Sequence, residues 1–310
     1  DRYMMELGLL TKFKFSIRPA GEPPRGTPKR DVYLIRAYEY PYDWEGIGEP
    51  ELMDRLLKIR LDLRRMGEAN GSMTVFSFWP DTVMIKEVGD PMAMAEYLGL
   101  DRRGLQARVI MAQGRQNTNY AITLYACHPF FLQGYATMTN GENTAFAPIR
   151  EFLTSRGFPG YTGYESDSEV FTHILHYTVG RLGLGIEGYK HVVTPLKDEE
   201  LLQHPDGAFL RRLKHSCRFL TVDGPNCVIG CLPDKTLFML QDSKKLRPGV
   251  VGGRPGIFAF SSEMCGLDEA IPQRERSNDF QPMKYDVAYV DAARMEVKRW
   301  SQWDDSTHPR

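Results

Sequence analysis

The chain has 310 residues, of which 42% are hydrophobic and 25% charged, enough apolar material for one large globular domain or two small ones. The net charge of −1 gives no reason to expect a nucleic-acid or anionic-membrane partner, and no apolar run reaches the ~18–20 residues of a membrane span. Five cysteines (Cys127, Cys217, Cys227, Cys231 and Cys265) are too few and too scattered for a disulfide framework. The Cys227/Cys231 spacing lacks the second ligand pair that a zinc site needs, so no metal is expected. The opening DRYMMELGLL carries no basic leader and no small-residue cleavage site. A cytoplasmic location is expected.

Taken in chain order, residues 1–17 read as a strand, and residues 19–30, with four prolines and two glycines, as a loop. Residues 31–40 (DVYLIRAYEY) read as a strand. From Glu51 to Met66 the apolar residues Leu52, Leu56, Ile59, Leu63 and Met66 recur at helical spacing, which leaves Arg60, Arg64 and Arg65 for a solvated face. The turn signals Asn70-Gly71 and Pro80-Asp81 bracket SMTVFSFWP and TVMIKEV as a hairpin. Residues 91–98 read as a short helix opened by Pro91. ARVIMA at 107–112 reads as a buried strand running into a polar cluster, AQGRQNTN.

FLQGYATMT at 131–139 reads as a strand ending at Asn140-Gly141. Residues 144–156 read as an amphipathic helix stopped by Gly157. Ser166 and Glu169 have the spacing of a capping box, opening a helix to about Leu182. A charged helix is expected over 198–214, strands over 217–222, 226–232 and 236–241, and a hairpin over 246–263. Residues 264–283 read mostly as loop, and YDVAYVD and RMEVKRW as a closing strand pair. Antiparallel hairpins with central helices point to an α+β class, not a parallel βαβ sheet. No linker divides the chain into domains, and no GxGxxG or P-loop pattern fits its glycines.

Chemistry-bearing residues concentrate between Ala112 and Glu169. Arg115 follows a strand, where its guanidinium fork suits a carboxylate or simply the surface. Asn140-Gly141 is either a turn or a pair of donors for an oxyanion. Asp167 is either a carboxylate at a helix start or a partner for an ammonium group. Together the three would recognise a free α-amino acid.

The order of these clusters resembles the class II glutamine amidotransferases, and most closely the glutaminase domain or subunit of glutamate synthase. QGRQNTN is similar to the family's HGRxPTN segment, CHPF to its HPF, TNGE to its HNGE and SDSEV to its SDTEV. VDGPNCVIG, DSKKLRPGVVG and FSSEMCGLD follow in the family's order. The likeness spans roughly Asn70 to Leu267. It implies an Ntn-hydrolase-like four-layer αββα sandwich of two antiparallel sheets between helices. On this reading residues 1–310 form one glutaminase-like domain, with 268–310 a C-terminal extension carrying the last strand pair. The implied reaction is hydrolysis of glutamine to glutamate and ammonia, with ammonia passed to a synthase or another subunit of a hetero-oligomeric complex. Arg115 would hold the substrate carboxylate, Asp167 its ammonium, Thr118 would line the same pocket, and Asn140 and Gly141 would form the oxyanion hole. No cofactor is implied, since no flavin or iron–sulfur motif occurs in the chain.

The sequence departs from the family at Gln113, Gln116, Thr139 and Asn143, and above all at its first residue. The family's nucleophile is an N-terminal cysteine whose own amine is the base. Here residue 1 is Asp1 and every cysteine is internal. Two expectations therefore stand side by side. Either the cysteine belongs to a leading segment ahead of Asp1, or the chain is a pseudo-glutaminase serving as a structural subunit.

Overall fold

The computed structural model describes residues 1–102, 104–115, 123–157, 166–291 and 293–303. The chain divides into two compact units, Asp1–Cys127 and His128–Arg310.

In the first unit a short helix α1 (Arg2–Glu6) precedes strand β1 (Leu10–Ile17), so the expected strand over 1–17 is shorter and begins with a helical turn. β1 pairs antiparallel with β2 (Tyr33–Glu39), from Leu10 opposite Glu39 to Ile17 opposite Tyr33. Helix α2 (Glu49–Asn70) starts at Gly48 with Glu49, Pro50 and Glu51 in its first turn and stops at Gly71 in the left-handed region. Its Ile59 packs with Met4 and Leu9. The arginines of α2 divide in a way the spacing did not predict. Arg65 stays exposed and pairs with Asp62, but Arg60 is buried at 1% exposure. Arg64 stacks on Tyr125 at 4.7 Å. Helix α3 (Pro91–Leu98) is capped by Asp90, which accepts from the Met92 and Ala93 N–H groups.

The expected hairpin over 72–88 does not form a ladder. Phe78 packs with Met4, Leu9 and Ile59, while Ile85 packs with Ile17, Met94 and Leu98. The two arms are drawn into different apolar clusters, and the Ser77 hydroxyl donates to the Thr82 carbonyl at 3.3 Å where a backbone ladder was expected. Residues 107–112 are no buried strand either; they join no ladder, and Ile110 is 76% exposed.

The second unit is built on a six-stranded antiparallel sheet of β3 (Phe130–Leu132), β4 (Tyr135–Gly141), β5 (Asn226–Cys231), β6 (Leu237–Gln241), β9 (Asp286–Asp291) and β10 (Glu296–Ser301), in the order β10-β9-β6-β5-β4-β3. A separate hairpin joins β7 (Val250–Arg254) to β8 (Ile257–Ser261). The run FLQGYATMT, expected as one strand, is split: Gln133 and Gly134 both have positive φ (50° and 85°), the requirement of a two-residue hairpin turn. Helices α4 (Phe146–Ser155), α5 (Glu169–Leu175), α6 (Gly185–Val193), α7 (Asp198–Gln203), α8 (Gly207–Ser216) and α9 (Met264–Ala270) complete the unit. After α5 the backbone widens into a π-helical turn over His176–Arg181. The helix expected over 198–214 is two helices, because Pro205 cannot continue one. Residues 217–222 hold a single 3-10 turn, Arg218–Leu220, instead of a strand. The loop expected over 264–283 begins with α9.

Side chains of a strand alternate between faces. On one face of the large sheet Cys227, Ile229, Met239, Ala288 and Val290 pack with Val251 and Phe260 of the β7–β8 hairpin. On the other, Phe238 meets Tyr189 of α6 edge-on, centroids 6.0 Å apart, and the Tyr189 hydroxyl donates to the Phe171 carbonyl of α5. Gly252 turns its bare side away from the large sheet, and a Cβ there would lie 3.0 Å from Leu267 of α9. The layers therefore run α5/α6, six-stranded sheet, β7–β8 hairpin, α9. The α+β class is borne out, with every strand pair antiparallel among the described residues. No helix among the described residues is long and apolar enough to cross a membrane.

Candidate functional site

The site grows from the end of β4. Asn140 lies opposite Cys227 and Gly141 opposite Asn226. One residue on, the Glu142 N–H donates to the Pro225 carbonyl at 3.0 Å. Inward-bonding residues alternate along an antiparallel strand. The Gly141 N–H therefore points away from β5, and β3, paired to β4 only from Thr137 back to Tyr135, stops short of it. Asn140 shares its face with Cys227, on the side of the β7–β8 hairpin. Asn140-Gly141 is thus the end of a strand and not the tip of a turn. Gly141 is obligatory there: its φ is +148°, and a Cβ would fall 1.9 Å from the Pro225 carbonyl oxygen.

Asp167, 4% exposed, reaches this corner from the start of α5. Its Oδ2 accepts the Asn143 N–H at 2.7 Å. Among the described residues Oδ1 has only longer contacts, 3.4 Å each, from the hydroxyls of Ser166 and Ser168. Ser168 Oγ accepts from Thr139 Oγ1 at 2.8 Å, and Thr139 Oγ1 in turn meets His128 Nε2 at 3.2 Å. A buried polar chain from His128 through Thr139 and Ser168 to Asp167 thus backs the corner. The expected capping box is not made. Ser166 Oγ accepts from the Ser168 N–H at 3.3 Å, while the Glu169 carboxylate turns down its own helix to His173 Nε2 at 2.9 Å.

Asn140, Gly141 and Asp167 all belong to the second unit, but Asn140 faces the β7–β8 hairpin, while Asp167 joins the corner from the α5 side through the Asn143 N–H. Arg115 belongs to the first, where its guanidinium donates to the Ala126 carbonyl. Thr118 lies outside the described residues. Beside Arg115, Lys86 Nζ donates to the Cys127 carbonyl at 2.6 Å. Burial pushes the Cys127 thiol up, against the opposing charges of Lys86 and Arg115, so it is a poor thiolate source.

Several residues of the corner escaped sequence reasoning. Asn143 supplies the N–H that Asp167 holds. Asn226 donates from Nδ2 to the carbonyls of Glu142 (3.1 Å) and Gly224 (3.2 Å). Asp242 gathers the N–H groups of Asn226 (3.0 Å), Lys244 (2.7 Å) and Leu246 (3.0 Å). The signal was the spacing of VDGPN and DSKKL, each a turn written around an aspartate. A cavity of about 60 Å³ opens beside them, lined in part by Phe171, Thr194, Asp223, Asn226, Asp242 and Lys244. Further in, Lys190 is fully buried and donates from Nζ to the carbonyls of Gln241 and Lys284, both at 2.7 Å. Burial lowers its pKa to about 7, with Asp242 and Asp286 opposing the shift. Among the described residues no group of three His, Cys, Asp or Glu side chains is placed to hold a metal ion.

No known family profile matches the chain. Among curated proteins it is 24% identical over 204 residues to an "Uncharacterized protein" of Archaeoglobus fulgidus, covering 65% of this chain and 53% of that one. It is 25% identical over 196 residues to a "Putative glutamine amidotransferase" of Methanothermobacter thermautotrophicus, covering 62% and 54%. The matched region thus spans about half the length of the curated relatives. Among solved structures it is similar to glutamine phosphoribosylpyrophosphate amidotransferase from B. subtilis (16% identity, TM-score 0.37, 60% of this chain and 34% of that one). It is also similar to a glutamine aminotransferase class-II domain protein from Silicibacter pomeroyi (14% identity, TM-score 0.37, 58% and 72%). What the comparisons establish is a distant similarity of sequence between this chain and a protein described as a glutamine amidotransferase.

Proposed function

We propose that this chain is the glutamine-binding part of a class II glutamine amidotransferase of the glutamate-synthase kind, releasing glutamate and ammonia for a synthase partner. The observation that carries the reading is the buried junction between the TNGE corner and the SDSEV segment, made by the Asn143 N–H on Asp167 Oδ2. One oxygen of Asp167 is fixed, and the other, with only 3.4 Å contacts among the described residues, is left to receive an ammonium group. The N–H of Gly141 and the side-chain amide of Asn140 would take the charge that develops on the glutamine side-chain oxygen when a nucleophile attacks. A donor of this type is worth ~10²–10³ in rate. Arg115 would pair with the substrate carboxylate and Thr118 would line the pocket. The nucleophile itself would come from a cysteine with a free amine ahead of Asp1.

Glutamine binding does not need that nucleophile, so it is testable on this chain. Calorimetric titration should give a measurable Kd for L-glutamine. Asp167→Asn and Arg115→Ala should each weaken it by about 10- to 150-fold, the loss of one hydrogen bond to a charged group at ~1.5–3 kcal/mol. No heat of binding from the folded parent would sink the proposal. A second reading, a non-catalytic structural subunit, is favoured by one observation: the Arg115 guanidinium is already engaged by the Ala126 carbonyl. The same titration separates the two.

A further inference from the structure

We infer that Asn226 is a positioning residue for the glutamine site, held in place by Asp242. The ligand rests on the reading above; the clamp does not. The corner that carries Gly141 is gripped from the side of β5 as well as by Asp167. Glu142 N–H donates to the Pro225 carbonyl and Thr144 N–H to the Asp223 carbonyl, both at 3.0 Å. Thr144 Oγ1 donates to Asp223 Oδ2 at 3.1 Å. Asn226 Nδ2 closes the grip by donating to the carbonyls of both Glu142 and Gly224. Gly224 comes so close that a Cβ on it would lie 2.2 Å from the Glu142 carbonyl oxygen.

Two features mark Asn226 as chosen for position and not for stability alone. It is 98% buried, yet its Oδ1 has no donor among the described residues. A buried acceptor left without a donor is a net cost. Its orientation is fixed all the same, because both partners of Nδ2 are carbonyl oxygens and a flipped amide would present oxygen to oxygen. Oδ1 is thereby left on the bare face of Gly141, where a Cβ would lie 2.8 Å from it. Asp242, 5% exposed, then fixes the Asn226 backbone while holding the Lys244 and Leu246 amides, so the 242–246 turn and the 141–144 corner are set by one buried connection. Tilting that connection would rotate the Gly141 N–H and shift the Asn143 N–H that holds Asp167.

The test compares Asn226→Asp, Asn226→Ala and Asp242→Asn with the parent and with Leu210→Ala, a destabilised control in the Leu196–Leu201–Leu210–Trp303 cluster. Two quantities are read: the Kd for L-glutamine by calorimetry, and hydrogen exchange of the Glu142 and Thr144 amides by NMR. Asn226→Asp keeps the shape but removes the donor. It should raise exchange of both amides and the Kd at least tenfold, with Asn226→Ala at least as severe and Asp242→Asn in the same direction. Leu210→Ala, matched for loss of thermal stability, should leave both unchanged. Parent-like exchange at Glu142 and Thr144 in folded Asn226→Asp overturns the clamp. Faster exchange with an unchanged Kd overturns its link to glutamine. A parent that binds no glutamine removes the ligand, and the exchange result then decides the clamp by itself.

Discussion

Replacing Lys190 by methionine should flatten part of the pH dependence of stability. Lys190 is fully buried on α6 and donates to the carbonyls of Gln241 and Lys284. Burial is the largest influence on its ammonium, and it lowers the pKa from 10.5 to about 7 despite the nearby carboxylates of Asp242 and Asp286. The folded protein thus holds the amine neutral at a pH where the unfolded chain still binds the proton. A depressed pKa gives stability that is complete above the unfolded value and lost as pH falls toward the folded one. The drop from 10.5 to about 7 corresponds to about 5 kcal/mol over the whole interval, and ~2 kcal/mol between pH 7 and 8.5. Lys190→Met also strands two carbonyls, which costs ~1–3 kcal/mol for each, but that loss is independent of pH. Urea denaturation of both proteins at pH 7, 7.75 and 8.5 isolates the titration. The stability of the parent relative to the variant should rise by ~2 kcal/mol across the window. Cys227, pushed up to about 12 by burial, tilts the curve the other way above pH 9 and cancels in the difference. Parallel curves for the two proteins would refute the argument.

Two further substitutions probe the corner and the end of the described chain. Gly141→Ala meets the Pro225 carbonyl and an unfavourable φ at once, and should cost at least ~3 kcal/mol, read as a shifted urea midpoint. A midpoint equal to the parent's would show that the strand end is not held as described. Gln302→Ala removes bonds from Nε2 to His191 Nδ1 (3.2 Å) and to the Thr194 carbonyl (3.0 Å), and should cost ~1–3 kcal/mol. Burial holds His191 at about 4, so admitting water there should move its NMR titration upward toward the ordinary histidine range. A His191 titration that stays put would count against it.

The sequence showed most of the second unit and much less of the first. β5, β6, the β7–β8 hairpin and the β9–β10 pair were legible because β-branched and aromatic runs were bounded by strong turn residues. The arms at 72–88 had the same local character and failed, because Phe78 and Ile85 found different apolar clusters, and no periodicity reports which cluster a side chain will join. Arg60 was misplaced for a related reason: it flanks the stripe of Leu56 and Ile59, and only packing decides whether a flank is covered. At the site, the residue types were readable but their hydrogen bonds were not. Glu169 had the capping spacing, yet its carboxylate found His173 one turn on. Asp167 could be read as a helix-start carboxylate, and what distinguishes it is the Asn143 N–H, a contact made across 24 residues of chain.

The position of β9 has a consequence for synthesis. It lies inside the large sheet, between β6 and β10, although it is made 45 residues after the end of β6. Until Asp286–Asp291 leaves the ribosome, the apolar strand Leu237–Gln241 presents an unpaired edge. At ~5–20 residues per second that interval lasts roughly 2–9 s, long enough for a neighbouring nascent chain to pair with it in place of β9. The large sheet is therefore closed late, and β6 is most open to mispairing between its own synthesis and that of β9.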